Sequence, residues 1–154
     1  MGQFLEAAKG SGIDLCHENE KGIYGDIPER CLTLHKALPG LKGIFDFANY
    51  VQCDVDTVPG WELLKDYIKY LHIKDAVFGG KVVPAGKGDG NVAKLVQAFI
   101  AQGGLDMTIE PHLTVFDGLR NLERAGEESA VEAYAYASAD EAFDAACNAL
   151  REIL

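Results

Sequence analysis

Four ionisable residues stand at the ends of four short apolar runs. Glu18 closes Ile13-Asp-Leu-Cys-His-Glu18, Asp46 closes Leu41-Lys-Gly-Ile-Phe-Asp46, and Glu110 closes Met107-Thr-Ile-Glu110. His72 lies in Tyr67-Ile-Lys-Tyr-Leu-His-Ile-Lys-Asp75, where β-branched, aromatic and aliphatic residues give way to His, Lys and Asp. A buried parallel strand looks like this where it ends at a functional rim. Parallel strands deliver their last residues to one rim, so these four side chains are expected to converge although they are distant in sequence. Three carboxylates and one imidazole suit a hard or borderline divalent cation such as Mn²⁺, Mg²⁺, Co²⁺ or Zn²⁺. Such an ion would polarise a substrate carbonyl or hydroxyl. A carboxylate at the same site could then move a proton as general base. One acid after one strand is ordinarily a solvated loop residue or a helix cap; it is the agreement of all four runs that points to a site.

The elements that must position these residues follow in order. Gln3 to Lys9 reads as the end of a helix stopped by Gly10 and Gly12, so the chain opens inside an element, as a truncated protein would. Strand one spans Ile13 to His17. Asp26 is placed to cap a helix with Pro28 in its first turn and Glu29 completing a capping box. That helix runs to Ala37, and Pro39-Gly40 ends it. Strand two is Leu41 to Asp46. Phe47 to Pro59 reads as a polar connection, followed by a short helix from Gly60 to Asp66 that packs through Trp61, Leu63 and Leu64. Strand three is Tyr67 to Ile73. A glycine-rich loop from Phe78 to Gly90 leads to Asn91 as cap of a helix over Val92 to Gln102. Val92, Leu95, Val96, Phe99 and Ile100 form its apolar stripe. Strand four is Met107 to Glu110. Val115 to Arg124 reads as a partial helix, and Glu127 to Tyr136 has no assigned type. Asp140 to Leu154 reads as a final helix with Phe143, Ala146, Cys147, Leu150 and Ile153 on one face. Four βα repeats predict an α/β fold with a parallel sheet. They are too few for an eight-stranded barrel of about 250 residues, and fit either a small open sheet or half a barrel.

Composition narrows the function. The chain has 154 residues, 48% apolar and 25% charged, which suits a single domain spanning 1–154 with its own core. The formal net charge of −10, with Lys and Arg scattered, disfavours nucleic acid as a partner. No apolar run is long enough for a bilayer and no leader pattern opens the chain, so the expected location is the cytoplasm, away from membranes. Cys16, Cys31, Cys53 and Cys147 lack the spacing of a zinc pair and read as free, mostly buried thiols.

Several segments resemble the C-terminal half of sugar phosphate isomerase/epimerase proteins with a xylose isomerase-like TIM barrel. They are His17-Glu-Asn-Glu20, Gly43-Ile-Phe-Asp-Phe-Ala-Asn49, Leu71-His-Ile-Lys-Asp75, Pro84-Ala-Gly-Lys-Gly-Asp89 and Ile109-Glu-Pro-His112, in matching order and spacing from Ile13 to Arg124. The resemblance implies half of a (β/α)8 barrel, with four parallel βα units corresponding to strands five to eight. It implies one divalent metal ion held by Glu18, Asp46, His72 and Glu110. Glu18 and Glu110 would also be the catalytic acid/base pair of an isomerase or epimerase acting on a sugar or related polyol or keto-sugar. The chemistry would be proton abstraction next to a metal-bound carbonyl, with an enediolate intermediate. Glu20 competes with Glu18 for the first position, and the order Glu-Asn favours Glu18. Asn49, Lys74 and His112 are candidates for substrate binding; for Lys74 the competing role is an ion pair with Asp75. His17 and His112 flank two of the candidate ligands and are expected to support them or to pack rather than to ligate, and His35, mid-helix, is expected to be structural. A DNA-repair relative of the superfamily, with three zinc ions, needs further histidines that Asn49 and Gly86-Lys-Gly-Asp89 do not supply.

A half-barrel would expose two strand edges and part of its inner layer. The expected partner is therefore a second copy of the chain, as a homodimer, or a missing N-terminal half-barrel. A folded monomer in light scattering at low concentration would exclude the dimer. The alternative function is a catalytically silent truncated barrel that binds metal or carbohydrate, or serves as an assembly module.

Overall fold

The computed structural model describes residues 1–113, 134 and 136–154. The expectations over 115–124 and 127–136 fall outside the described residues, apart from Tyr134 and Tyr136. The described elements are α1 (Gly2–Ala8), β1 (Cys16–Glu18), α2 (Pro28–Ala37), β2 (Lys42–Asp46), α3 (Phe47–Val51), α4 (Thr57–Leu64), β3 (Ile68–Ile73), β4 (Asp75–Ala76), β5 (Val82–Val83), α5 (Val92–Ala101), β6 (Asp106–Ile109) and α6 (Ala139–Ile153). Four strands form one parallel sheet in the order β1-β2-β3-β6. The expected α/β class and parallel sheet are thus present. Among the described residues no helix is long and apolar enough to cross a membrane.

The core lies on the helix-bearing side of this sheet. Side chains alternate faces along a strand, so Phe45, Leu71 and Ile73 point into the core while their neighbours point away. Phe45 is the hub: its ring meets Phe47, Tyr50 and Trp61 edge-on at 5.3, 5.0 and 5.5 Å, the geometry aromatic pairs prefer. Leu95, Val96 and Phe99 of α5 and Leu150 of α6 complete the layer.

The structure corrects the sequence reading at several places. Phe47 to Pro59 is no polar connection. It contains α3, whose residues are all buried, and Asp46 caps it by accepting the Asn49 N–H at 2.8 Å. A helix of five residues is too short to show a period, which is why the pattern concealed it. The next helix begins at Thr57, because Asp56 caps it and Pro59 sits in the first turn, where an N–H has no helical partner. Leu63 on this helix is exposed, while Trp61 and Leu64 are buried. Asp26 does not cap α2; it pairs with Arg30 at 2.8 Å, and Ile27 is the cap residue without a side-chain bond. Asn91 also makes no cap bond: it is left-handed and its amide donates to Thr57 Oγ1 and Asp89 O. Ile100 is exposed. On α6 the packed face holds Ala146, Leu150 and Ile153 as expected, together with Ala142 and Ala149, while Phe143 is exposed and Cys147 half-buried. Of the cysteines only Cys31 is buried; the other three are half-buried and all four are free.

The glycine-rich loop follows β4 and contributes β5, its antiparallel partner, and is anchored by Asp75. The Asp75 carboxylate is fully buried and accepts N–H groups from Ala76, Gly86, Gly88 and Gly90 at 2.9, 2.9, 3.0 and 2.9 Å. Gly88 allows this approach, since a Cβ there would stand 2.3 Å from the Ala76 carbonyl oxygen.

Candidate metal and proton-transfer site

The sheet brings the four strand ends together. Asp46 is in register with His72, and β1 and β6 flank these central strands. Glu18, Asp46, His72 and Glu110 each offer a ligand atom, and these atoms all lie within 4.8 Å of one another. Glu20 is not in the group; its carboxylate accepts the Lys21 N–H.

His72 is the centre of the cluster. Its Nδ1 is 2.9 Å from Glu18 Oε1 and 3.3 Å from Glu110 Oε2. Burial pulls the imidazole pKa down, but hydrogen bonds to Glu110 and Glu18 and their charges outweigh it and raise it to about 10. Glu110 responds in the opposite sense: burial opposes ionisation, yet the His72 hydrogen bond and the Lys74 charge hold it down at about 2. Asp46 is fully buried, and burial lifts it to about 6 against the pull of Lys74 and the Asn49 N–H. At neutral pH Asp46 and Glu110 therefore carry charge inside a partly desolvated pocket.

Asp46 is the most tightly held member. Asn19 clamps its backbone from both sides, donating to Asp46 O at 2.9 Å and accepting from Asp46 N at 2.8 Å. Its Oδ1 is committed to α3. Its Oδ2 is buried without a hydrogen bond; the Lys74 ammonium stands 3.0 Å away in charge contact but outside hydrogen-bond geometry. A buried carboxylate oxygen left without a hydrogen bond is costly unless a cation is there. With two glutamates and an imidazole beside it, the donor set fits a hard or borderline divalent ion.

The other candidates sit around this cluster. Asn49 is buried, with Nδ2 at 2.9 Å from Asn19 O and 3.5 Å from Glu18 Oε1. Lys74 is 5% exposed and reaches Asp46 and, at 3.3 Å, Glu110. It does not pair with Asp75, whose carboxylate is taken up by the glycine loop. Burial pulls the Lys74 pKa down, but Asp46 and Glu110 drive it above its ordinary value. His112, in the left-handed region, has Nε2 3.7 Å from Glu110 Oε1. His17 lies on the other face of β1, buried beneath Gly25, and burial lowers its pKa. His35 is buried, bonded through Nδ1 to Leu41 O and stacked on Tyr67 at 4.9 Å. Both are packing residues, as expected.

Sequence reasoning missed Asn19 and the anchoring role of Asp75. The signal for Asn19 was its place directly after the Glu18 ligand. The signal for Asp75 was an acid between a buried strand and three glycines at alternate positions, which is the demand of backbone N–H groups for one acceptor.

One pH effect follows for the metal-free protein. A His pKa raised from 6.5 to about 10 stabilises the fold fully below 6.5, and that stabilisation is lost as pH rises to about 10. Thermal unfolding in chelator should therefore show a melting temperature that falls across this range, with the fall flattened in His72→Gln. A profile identical in both proteins would contradict the bridging role of His72.

No protein-family model matches the chain, and no curated protein does either. Solved structures that share its fold include the following two. A probable 3-DHS dehydratase from Bacillus anthracis, AsbF, described as involved in petrobactin synthesis, superposes with a TM-score of 0.59 and 17% identity over 68% of this chain and 46% of its own. A D-tagatose 3-epimerase-like protein gives 0.61 and 19% over 78% of this chain and 48% of its own. The chain thus spans just under half the length of each. At these identities the likeness is one of fold.

Proposed function

We propose that this chain, an α/β fold matching part of a xylose isomerase-like barrel, is the catalytic half of a metal-dependent isomerase or epimerase acting on a sugar or related keto-polyol. Its four strands would correspond to strands five to eight of such a barrel. The observation that supports this most is the convergence of Glu18, Asp46, His72 and Glu110 within 4.8 Å.

The residues divide the work by exposure. Asp46 is closed to solvent, whereas the Glu18 and Glu110 side chains are 31% and 35% exposed. Asp46 and His72 are therefore holding groups. Glu18 and Glu110 are the two carboxylates open to a substrate, and they come from the two outer strands of the sheet. A carbon placed between them would present one face to each, so one carboxylate could take a proton and the other return one. A divalent ion held there supplies Lewis-acid polarisation of the adjacent carbonyl. Asn49 and Lys74 fix the carboxylates of Glu18, Asp46 and Glu110, and His112, at the rim, is the candidate most open to a substrate hydroxyl. Scattered basic residues favour an unphosphorylated substrate.

The test is incorporation of solvent deuterium into a panel of ketoses and inosose-like polyols by Mn²⁺-loaded protein. Exchange at the carbon beside the carbonyl is expected, and its absence across the panel would sink the catalytic reading. A second reading, a silent metal-binding half-barrel, is favoured by one observation: β1 and β6 each pair with a single strand among the described residues. It predicts metal without exchange. In either case closure by a second copy is the proposed assembly, readable as a dimer mass in light scattering.

A further inference from the structure

We propose that Lys74 is a built-in counter-cation of the carboxylate cluster, holding Asp46 and Glu110 together in the metal-free protein and weakening the grip on a divalent ion so that the ion stays exchangeable. This rests on the cluster being a divalent-metal site. Three observations carry it.

First, Lys74 Nζ lies between two carboxylates from different strands, 3.0 Å from Asp46 Oδ2 and 3.3 Å from Glu110 Oε2. Those acids would otherwise repel each other in a site with little solvent. Second, the ammonium is confined. Lys74 is 5% exposed and borders the same small cavity as Val83, Pro84, Pro111 and Leu113. The next residue, Asp75, locks the backbone to the glycine loop. The charge therefore has little room to swing out to water when another cation arrives. Third, the formal charges close. With His72 neutral, as an imidazole must be to ligate a metal, three carboxylates, Lys74 and a divalent ion sum to zero. The same site without Lys74 would hold the ion with one uncompensated negative charge and no neighbouring positive charge to repel it.

The sign of the effect separates this role from that of a mere scaffold for the ligands. A scaffold lost would weaken metal binding; a counter-cation lost would strengthen it while destabilising the metal-free fold. Chelator-stripped wild type, Lys74→Met and Lys74→Arg are titrated calorimetrically with Mn²⁺, and each is melted with and without the metal. Lys74→Met is expected to bind Mn²⁺ about tenfold more tightly or better, because a unit charge a few ångströms from the ion is removed from a partly desolvated site. It is also expected to melt lower without metal and to gain more on loading. Lys74→Arg keeps the charge and should stay within about threefold of wild type. Equal or weaker Mn²⁺ binding by Lys74→Met overturns the proposal. If Lys74→Met folds only with Mn²⁺, the proposal stands; if neither variant folds even at saturating Mn²⁺, it falls. A wild type that takes up no Mn²⁺ fails the metal reading itself, whereas a wild type that binds with Lys74→Met no tighter fails this inference alone.

Discussion

Glu110→Gln should lower solvent-proton exchange by about 10³-fold, the scale of a lost general acid/base group, and should release the bound metal. Gln keeps the shape of the side chain but not its charge. Glu110 serves His72 at 3.3 Å, Lys74 at 3.3 Å and His112 at 3.7 Å, so the substitution removes the negative member of all three contacts. The carboxylate is 35% exposed, so folding should survive. Elemental analysis and deuterium incorporation on the folded variant separate the two losses. A variant that holds metal and exchanges protons at the wild-type rate would remove Glu110 from the site.

Asp46→Ala should be the most damaging single change to stability. The residue is fully buried and opposes the buried Lys74 ammonium at 3.0 Å. Breaking a buried ion pair from one side costs about 3–5 kcal/mol, because the remaining charge is left without compensation. Loss of the α3 cap adds about 1 kcal/mol. For a domain of this size each kcal/mol moves the melting temperature by roughly 2–4 °C. A fall of roughly 10 °C or more is therefore expected. Asp46→Asn keeps an acceptor for the Asn49 N–H and should fall less. Both variants should lose the metal. A melting curve for Asp46→Ala within a few degrees of wild type would show that Lys74 does not depend on Asp46.

The contrast between these residues shows how much of the molecule was legible in the sequence. The sheet and the convergence of its four strand ends could be read, because each buried parallel strand is a short apolar run closed by one ionisable group. The fold resemblance could be read from the motifs around those groups. What escaped was set by contacts distant in sequence. For Lys74 the sequence left substrate contact and an ion pair with Asp75 both open, but the two neighbouring side chains serve different tasks: Lys74 reaches Asp46 and Glu110, while Asp75 accepts four backbone N–H groups. The α3 helix is too short to show a period, and its cap, Asp46, is also a candidate ligand, so nothing in the local pattern marks a helix start. On α6, Ala146, Leu150 and Ile153 pack as their spacing implies, but Phe143 is exposed and the small Ala142 and Ala149 take part in the close approach, which size and hydropathy alone do not reveal.

The central claim is that Glu18, Asp46, His72 and Glu110 form one divalent-cation site. The most direct measurement is elemental analysis of protein loaded with Mn²⁺ and dialysed, for wild type and His72→Ala side by side. About one ion per chain is expected in wild type, as for a single site of four protein ligands, and background in the variant. Wild type at the same background as His72→Ala would contradict it.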